Sequence, residues 1–264
     1  MITSPHNAGV AAARALRARS RREEARRFLV EGPSPVAEAI RAGAAHDVFV
    51  TTERGGALPE PPAAVAPALR VHEVSPAVMK RLAATVAPQG PVAVCGFVDA
   101  PLASLVLEAG PLVVLIEVRD PGNLGTIVRT ADAAGAAGVV VSAKSVDVYN
   151  EKAVRASAGS IFHLPIVREA EPGVVLSALR ERGVAILAAA ADGQHDLYDD
   201  RVAQLLGGPV ALVLGNEARG LGAAIRAQAD ATVRIPMGGR AESLNLAAAA
   251  AVLLFESARR RRQE

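Results

Sequence analysis

Three turns in the second half of the chain concentrate residue types that bind and orient a ligand. The first lies in DPGNLGTIVRTADAAG, residues 120–135. Asn123 stands where it can cap a following helix. Arg129 lies six positions on, about one and two-thirds turns at 3.6 residues per turn. An arginine among small and apolar residues needs a partner. Taken by itself, the spacing favours a surface side chain or an ion pair with Asp132. The second turn, LVLGNEARGLG at 212–222, opens a buried strand into Gly215, Asn216 and Glu217. Glycines let a ligand approach the backbone closely, and crevices at the carboxyl ends of parallel strands are where α/β proteins bind ligands. Read alone, it is an ordinary strand–helix turn. The third, VRIPMGGRAESLNLAAAAAVLLFE at 233–256, ends a short strand at Pro236 and starts a long Ala-rich helix. Ser243 is the natural cap of that helix, with Asn245 in its first turn.

Other chemistries are poorly served. No G-x-G-x-x-G follows the first strand of this half, and there is no G-x-x-x-x-G-K-[ST]. The five histidines are scattered and lack ligand spacing, so no metal is expected. The single cysteine, Cys95, sits in the apolar run PVAVCGFV and reads as a buried small hydrophobe. Tryptophan is absent and aromatics make up 3%, which disfavours a stacking platform for single-stranded bases.

These turns need an α/β frame. Hydrophobic residues make up 51% of the 264, enough for a sizeable core. The first half predicts helices near 10–19, 34–42 and 76–85. It predicts strands at 28–31, 47–51, 69–74 and 92–98, with a loop GGALPEPPAAVAP that can be neither helix nor central strand. DAPLASLVLEAGP, with proline near each end, marks a boundary. The layout expected is a first domain over 1–99, a linker over 100–111 and a second domain over 112–264. In the second, LVVLIEV, GVVVS, VAILAAA and PVALVLG are continuous apolar runs, the mark of a parallel sheet buried on both faces. Helices are expected at 124–134, 152–158, 174–182, 221–228 and 243–259.

The net charge is only +2 with a pI of about 9.0, and all basic residues but Lys80, Lys144 and Lys152 are arginine. A high-GC genome would enrich arginine and alanine alike. The N-terminus carries no signal-peptide core. The longest apolar stretch, 246–255, is short of the ~20 residues that span a bilayer, so a cytoplasmic protein is expected.

Together and in order, NLGTIVRTADAAG, LVLGNEARGL and IPMGGRAESLNLAAAAAVLLFE resemble the three motifs of the SpoU (TrmH) ribose 2′-O-methyltransferases of the SPOUT superfamily. NEKAVRASAGS at 150–160 resembles a further segment of that family. The opening, ITSPHNAGVAAARALRARSRREEARRFLVEG, is similar to a ribosomal-protein-like RNA-binding domain that many members carry. The resemblance implies a C-terminal α/β SPOUT domain with a parallel sheet and a deep trefoil knot, preceded by a small α/β RNA-binding domain. It implies S-adenosylmethionine as cofactor, held by Leu214, Gly215, Asn216, Ile235, Pro236, Met237, Ser243, Leu244 and Asn245. Arg129 matches the catalytic arginine, supported by Asn123, Glu217, Ser243 and Asn245. A guanidinium scarcely deprotonates in a protein, so a nearby phosphate is an alternative proton acceptor. Arg155 matches an arginine for RNA phosphate, and Arg19, Arg21, Arg22 and Arg26 in the basic N-terminal segment are further RNA contacts.

The implied function is 2′-O-methylation of a ribose in RNA by a homodimer. The front domain favours 23S ribosomal RNA, with antibiotic-resistance methyltransferases sharing the layout. Transfer RNA as substrate, or a non-catalytic assembly factor, are the competing readings.

Overall fold

The computed structural model describes residues 1–52, 58–64, 66–85, 88 and 90–262. Contacts divide the chain into two units. One is Met1–Val98 with Tyr149–His163; the other is Asp99–Val148 with Leu164–Glu264.

The first unit is built from α1 (Ala8–Ala15), α2 (Arg19–Ala25), β1 (Arg27–Glu31), α3 (Pro33–Arg41), β2 (Ala45–Val50), β3 (Arg70–Glu73), α4 (Pro76–Leu82) and β4 (Val92–Gly96). Its sheet runs β1-β4-β2-β3, antiparallel except for β2 with β3. Val10, Leu16, Leu29, Phe49, Val78, Leu82 and Val94 form the core. The helix expected over 10–19 is two helices. The break follows because Leu16 must stay in the core while Arg22 turns inward to cap the carbonyls of Leu16 and Arg17 (2.9 and 2.7 Å). Part of the Pro/Gly/Ala loop, 55–57 and 65, lies outside the described residues.

The second unit starts with β5 (Leu112–Leu115), α5 (Pro121–Ala133) and β6 (Gly138–Ser142). The chain then contributes α6 (Glu151–Ser157) to the first unit, packed on β1. Aromatic contacts anchor it there. Tyr149 packs on Phe28 and Phe97 with ring centroids 4.4 and 4.0 Å away, and its hydroxyl accepts from the Val98 N–H at 2.8 Å. The second unit resumes with β7 (Ile166–Ala170), α7 (Pro172–Glu181), β8 (Ala185–Ala189), β9 (His195–Asp196), α8 (Asp200–Gly207), β10 (Val210–Leu214), α9 (Ala223–Arg226), β11 (Ala231–Arg234) and α10 (Leu246–Arg261).

The seven strands run β7-β6-β5-β10-β8-β11-β9, every pair parallel. The long apolar runs occupy the middle, buried on both faces as their composition requires. β10 inserts between β5 and β8, so sequence order reverses at the β5–β10 boundary. That reversal is where open α/β sheets part their loops to admit ligands.

Candidate active site

The loops beyond β5, β8, β10 and β11, with the first turns of α5 and α10, enclose a cleft of about 740 Å³. That lies within the ~300–1,000 Å³ usual for small-molecule sites. Leu214, Val233, Ile235, Leu244 and Leu246 give it apolar walls, with Ala189–Ala191 at the end of β8 and Ala249 on α10. Met237 and Leu244, each 38% exposed, leave apolar surface on the rim. A bound ligand would cover it. Gly215 carries no alternative side chain: a Cβ there would lie 2.4 Å from the Gly220 backbone.

The polar groups converge at one end. Asp120 caps α5 by accepting from the Asn123 N–H at 2.8 Å. Asn123 was expected as the cap; with Asp120 in that role, its amide is free to reach outward. Its Nδ2 donates to Glu217 Oε1 at 3.2 Å, and its Oδ1 accepts from Asn245 Nδ2 at 3.0 Å. Asn245, rather than Ser243, caps α10, accepting from the Ala247 and Ala248 N–H groups. Glu217 also accepts from the backbone N–H of Asp120 (3.0 Å) and Arg119 (3.1 Å). Burial works to raise the Glu217 carboxyl, but these N–H groups, its own backbone N–H and the Asn123 amide outweigh it and hold it below the ordinary value. The result is a fixed carboxylate and two oriented amides tying the three motif loops together.

Of the expected residues, the cleft gathers Asn123, Leu214, Gly215, Asn216, Glu217, Ile235, Met237, Ser243, Leu244 and Asn245. Pro236 and Arg129 are not among its lining residues. Arg129 is exposed on α5, and among the described residues no hydrogen bond or ion pair engages it. The pairing of Arg129 with Asp132 is not found. Asn216 lines the cleft, but its amide is spent on the loop, donating to the Glu117 carbonyl (2.8 Å) and accepting from the Ala218 and Arg219 N–H groups. Arg119, the alanines ending β8 and Ala249 escaped the sequence reading. Only the position of the alanines at the end of an apolar run could have signalled them.

The five expected RNA-contacting arginines have different fates. Arg22 is corrected: at 3% exposure, its guanidinium is committed to backbone carbonyls. Arg19 is exposed, Arg21 pairs with Glu24, and Arg26 pairs with Glu23 while lying 4.5 Å over the Phe97 ring. Arg155 is exposed on α6 and so belongs to the first unit, whereas the cleft belongs to the second. Among the described residues no group of three or more His, Cys, Asp or Glu could hold a metal, and no helix is long and apolar enough to cross a membrane. Cys95 is buried, and burial pushes its thiol up.

Fold and site define a class: an α/β protein with a small-molecule cleft at the carboxyl ends of a parallel sheet, and a second small α/β unit. Comparison makes it specific. Residues 110–255 match the family model described as SpoU rRNA Methylase family, and residues 7–93 match an MRM3-like substrate binding domain. The chain belongs to the SpoU rRNA methylase family. It is 33% identical over 255 residues to the 23S rRNA (guanosine(2553)-2′-O)-methyltransferase RlmP of Bacillus subtilis, covering 96% of this chain and 97% of that one. It is 45% identical over 146 residues to a 23S rRNA (uridine(2479)-2′-O)-methyltransferase of Streptomyces viridochromogenes, a match spanning half the length of that relative. Among solved structures, the AdoMet-bound rRNA methyltransferase of Sinorhizobium meliloti aligns with a TM-score of 0.83 at 35% identity, covering 98% of this chain and 97% of that one. The SpoU methyltransferase AviRb of Streptomyces viridochromogenes with AdoMet aligns at 0.84 and 31%, covering 98% and 100%.

Proposed function

We propose that the chain transfers a methyl group from S-adenosylmethionine to a ribose 2′-hydroxyl of RNA, with 23S ribosomal RNA the substrate. The observation that carries this is the Glu217–Asn123–Asn245 network at the mouth of an apolar cleft of the right size. The walls suit the adenine ring and the methionine stem, and Leu214, Gly215, Ile235, Met237, Ser243 and Leu244 would hold the cofactor. When bound, it supplies an electrophilic methyl on a sulfonium.

The protein's work is then positional and electrostatic. Glu217 fixes the Arg119–Asp120 turn and the Asn123 amide. Asn123 and Asn245 present one rigid polar edge to the incoming ribose. Holding the hydroxyl in line with the methyl removes the entropic part of the barrier. Arg129 stabilises charge developing on the oxygen. It stands outside its own chain's cleft, which fits a homodimer in which each Arg129 serves its partner's site, with the exposed Phe255 on α10 available to the interface. The deep trefoil knot that the family resemblance implies is part of this proposal.

The test is transfer of labelled methyl from S-adenosylmethionine to 23S ribosomal RNA. Arg129→Ala should lose turnover by about 10²–10³ while still binding the cofactor. Arg129→Lys should rescue poorly, because a point charge cannot reproduce a planar two-pronged contact. Full activity in Arg129→Ala would remove the arginine from the mechanism.

A further inference from the structure

A second cleft, of about 480 Å³, lies in the same unit on the other side of the Asn216–Gly220 loop, and both residues line both clefts. Its rim carries Glu117, Lys144, Glu171 and Arg219, and Ile116 and Ile225 supply apolar surface. Two of these residues are strained. Glu117 has φ +50 and Lys144 has φ +65, where glycine would sit without cost. A side chain held in that region costs of order 1–3 kcal/mol and persists where the surroundings dictate it, commonly at binding sites. Here the surroundings are specific. The Glu117 N–H donates to Ser142 Oγ (2.9 Å), which is 3.2 Å from Ser145 Oγ across the Lys144 turn. The Glu117 carbonyl receives the Asn216 amide. Its carboxylate receives Arg219 at 2.7 Å, with Arg119 at 3.9 Å.

The outcome is a carboxylate that organises two arginines, beside an exposed lysine that no ion pair engages among the described residues. Arg119 lines the first cleft, whereas Arg219 and Lys144 line the second, so the cations continue from one to the other. A chain of phosphates passing both clefts would meet this row. Apolar surface next to cations, with carboxylates able to accept from base amino groups, is the chemistry of a nucleotide rather than of a free anion.

We propose that the second cleft seats the RNA nucleotide adjacent to the one methylated, with its phosphate on Lys144 and Arg219. This rests on the RNA-methyltransferase reading above. The test uses the full chain as wild type, Lys144→Gln, Arg219→Gln and the double variant, with transcribed 23S ribosomal RNA of Bacillus subtilis as probe. Binding is measured across a salt series, with S-adenosylmethionine calorimetry as the control for fold. The variants should bind RNA more weakly, with a salt slope shallower by roughly one unit per lost phosphate contact, at unchanged cofactor affinity. Because Cys95 is the only cysteine and is buried, Lys144→Cys presents a single accessible thiol. A photo-crosslinker on that thiol should attach to nucleotides beside the methylated ribose. Unchanged slopes, or attachment far from that ribose, would overturn the assignment. If the wild type leaves no 2′-O-methyl group on any RNA, the parent reading fails, while the salt slopes still report on the cleft separately.

Discussion

Glu217 is where carboxylate chemistry and architecture meet. Four donors hold it ionised: the N–H groups of Arg119 and Asp120, its own N–H and the Asn123 amide. A depressed carboxyl contributes stability that is fully present above its ordinary value of 4.5 and is lost as pH falls through the lower folded value. No limb from Glu217 is therefore expected in a pH–rate profile between neutral pH and that value. Glu217→Gln should lower turnover across the whole range, since a neutral amide satisfies fewer of those donors, and an acidic limb above 4.5 in the wild type that this variant abolishes would contradict the assignment. Arg22 shows the opposite lesson. Its position in an arginine run reads as phosphate contact, yet it is a buried structural residue. Arg22→Ala should cost about 1–3 kcal/mol by leaving the Leu16 and Arg17 carbonyls unsatisfied, read as a lower denaturant midpoint. RNA affinity of the folded protein should be unchanged.

At the scale of elements, the loop after β10 and the segment leading into α10 form more than half of the cleft proposed to hold the cofactor. Gly215 is a poor probe of it, because even a methyl group there would strike the Gly220 backbone and disturb the loop itself. Ala249 is a better one, since it is half-buried on α10 and faces the cleft. Ala249→Phe should fill the cleft and weaken S-adenosylmethionine binding by an order of magnitude or more, as overpacking of about 1–3 kcal/mol implies. Unchanged calorimetric affinity would place the cofactor elsewhere. The long apolar runs made β5, β6, β8 and β10 legible, because strands buried on both faces leave no other reading. β7 was not legible. IVREA buries only its first two residues and carries charge on the next two, as an edge strand can. The caps were misassigned for a local reason. Asp120 and Asn245 compete with Asn123 and Ser243 at nearly the same place, and only the backbone geometry decides between neighbours. Arg119 was invisible because its contribution to the network is a backbone N–H, which no side chain advertises.

At the scale of the whole molecule, the two units interleave in sequence. Residues 149–163 belong to the first unit although they lie within the span matched by the methylase model. Cutting the chain before residue 99 therefore strips Tyr149 and Phe162 of their partner Phe28. The truncated protein should bind apolar dye and aggregate, and it should retain S-adenosylmethionine binding only if that segment is tolerated in water. A truncated protein as soluble and as stable as the full chain would show that the aromatic anchor contributes little. One measurement reads the bond that is made. 23S ribosomal RNA is incubated with the full chain and S-adenosylmethionine, hydrolysed in alkali, and the surviving linkages are located. One discrete site of resistance is expected, because a methylated 2′-oxygen cannot attack its own phosphate, and it should disappear with Arg129→Ala. A methylated base beside a linkage that still cleaves would contradict it.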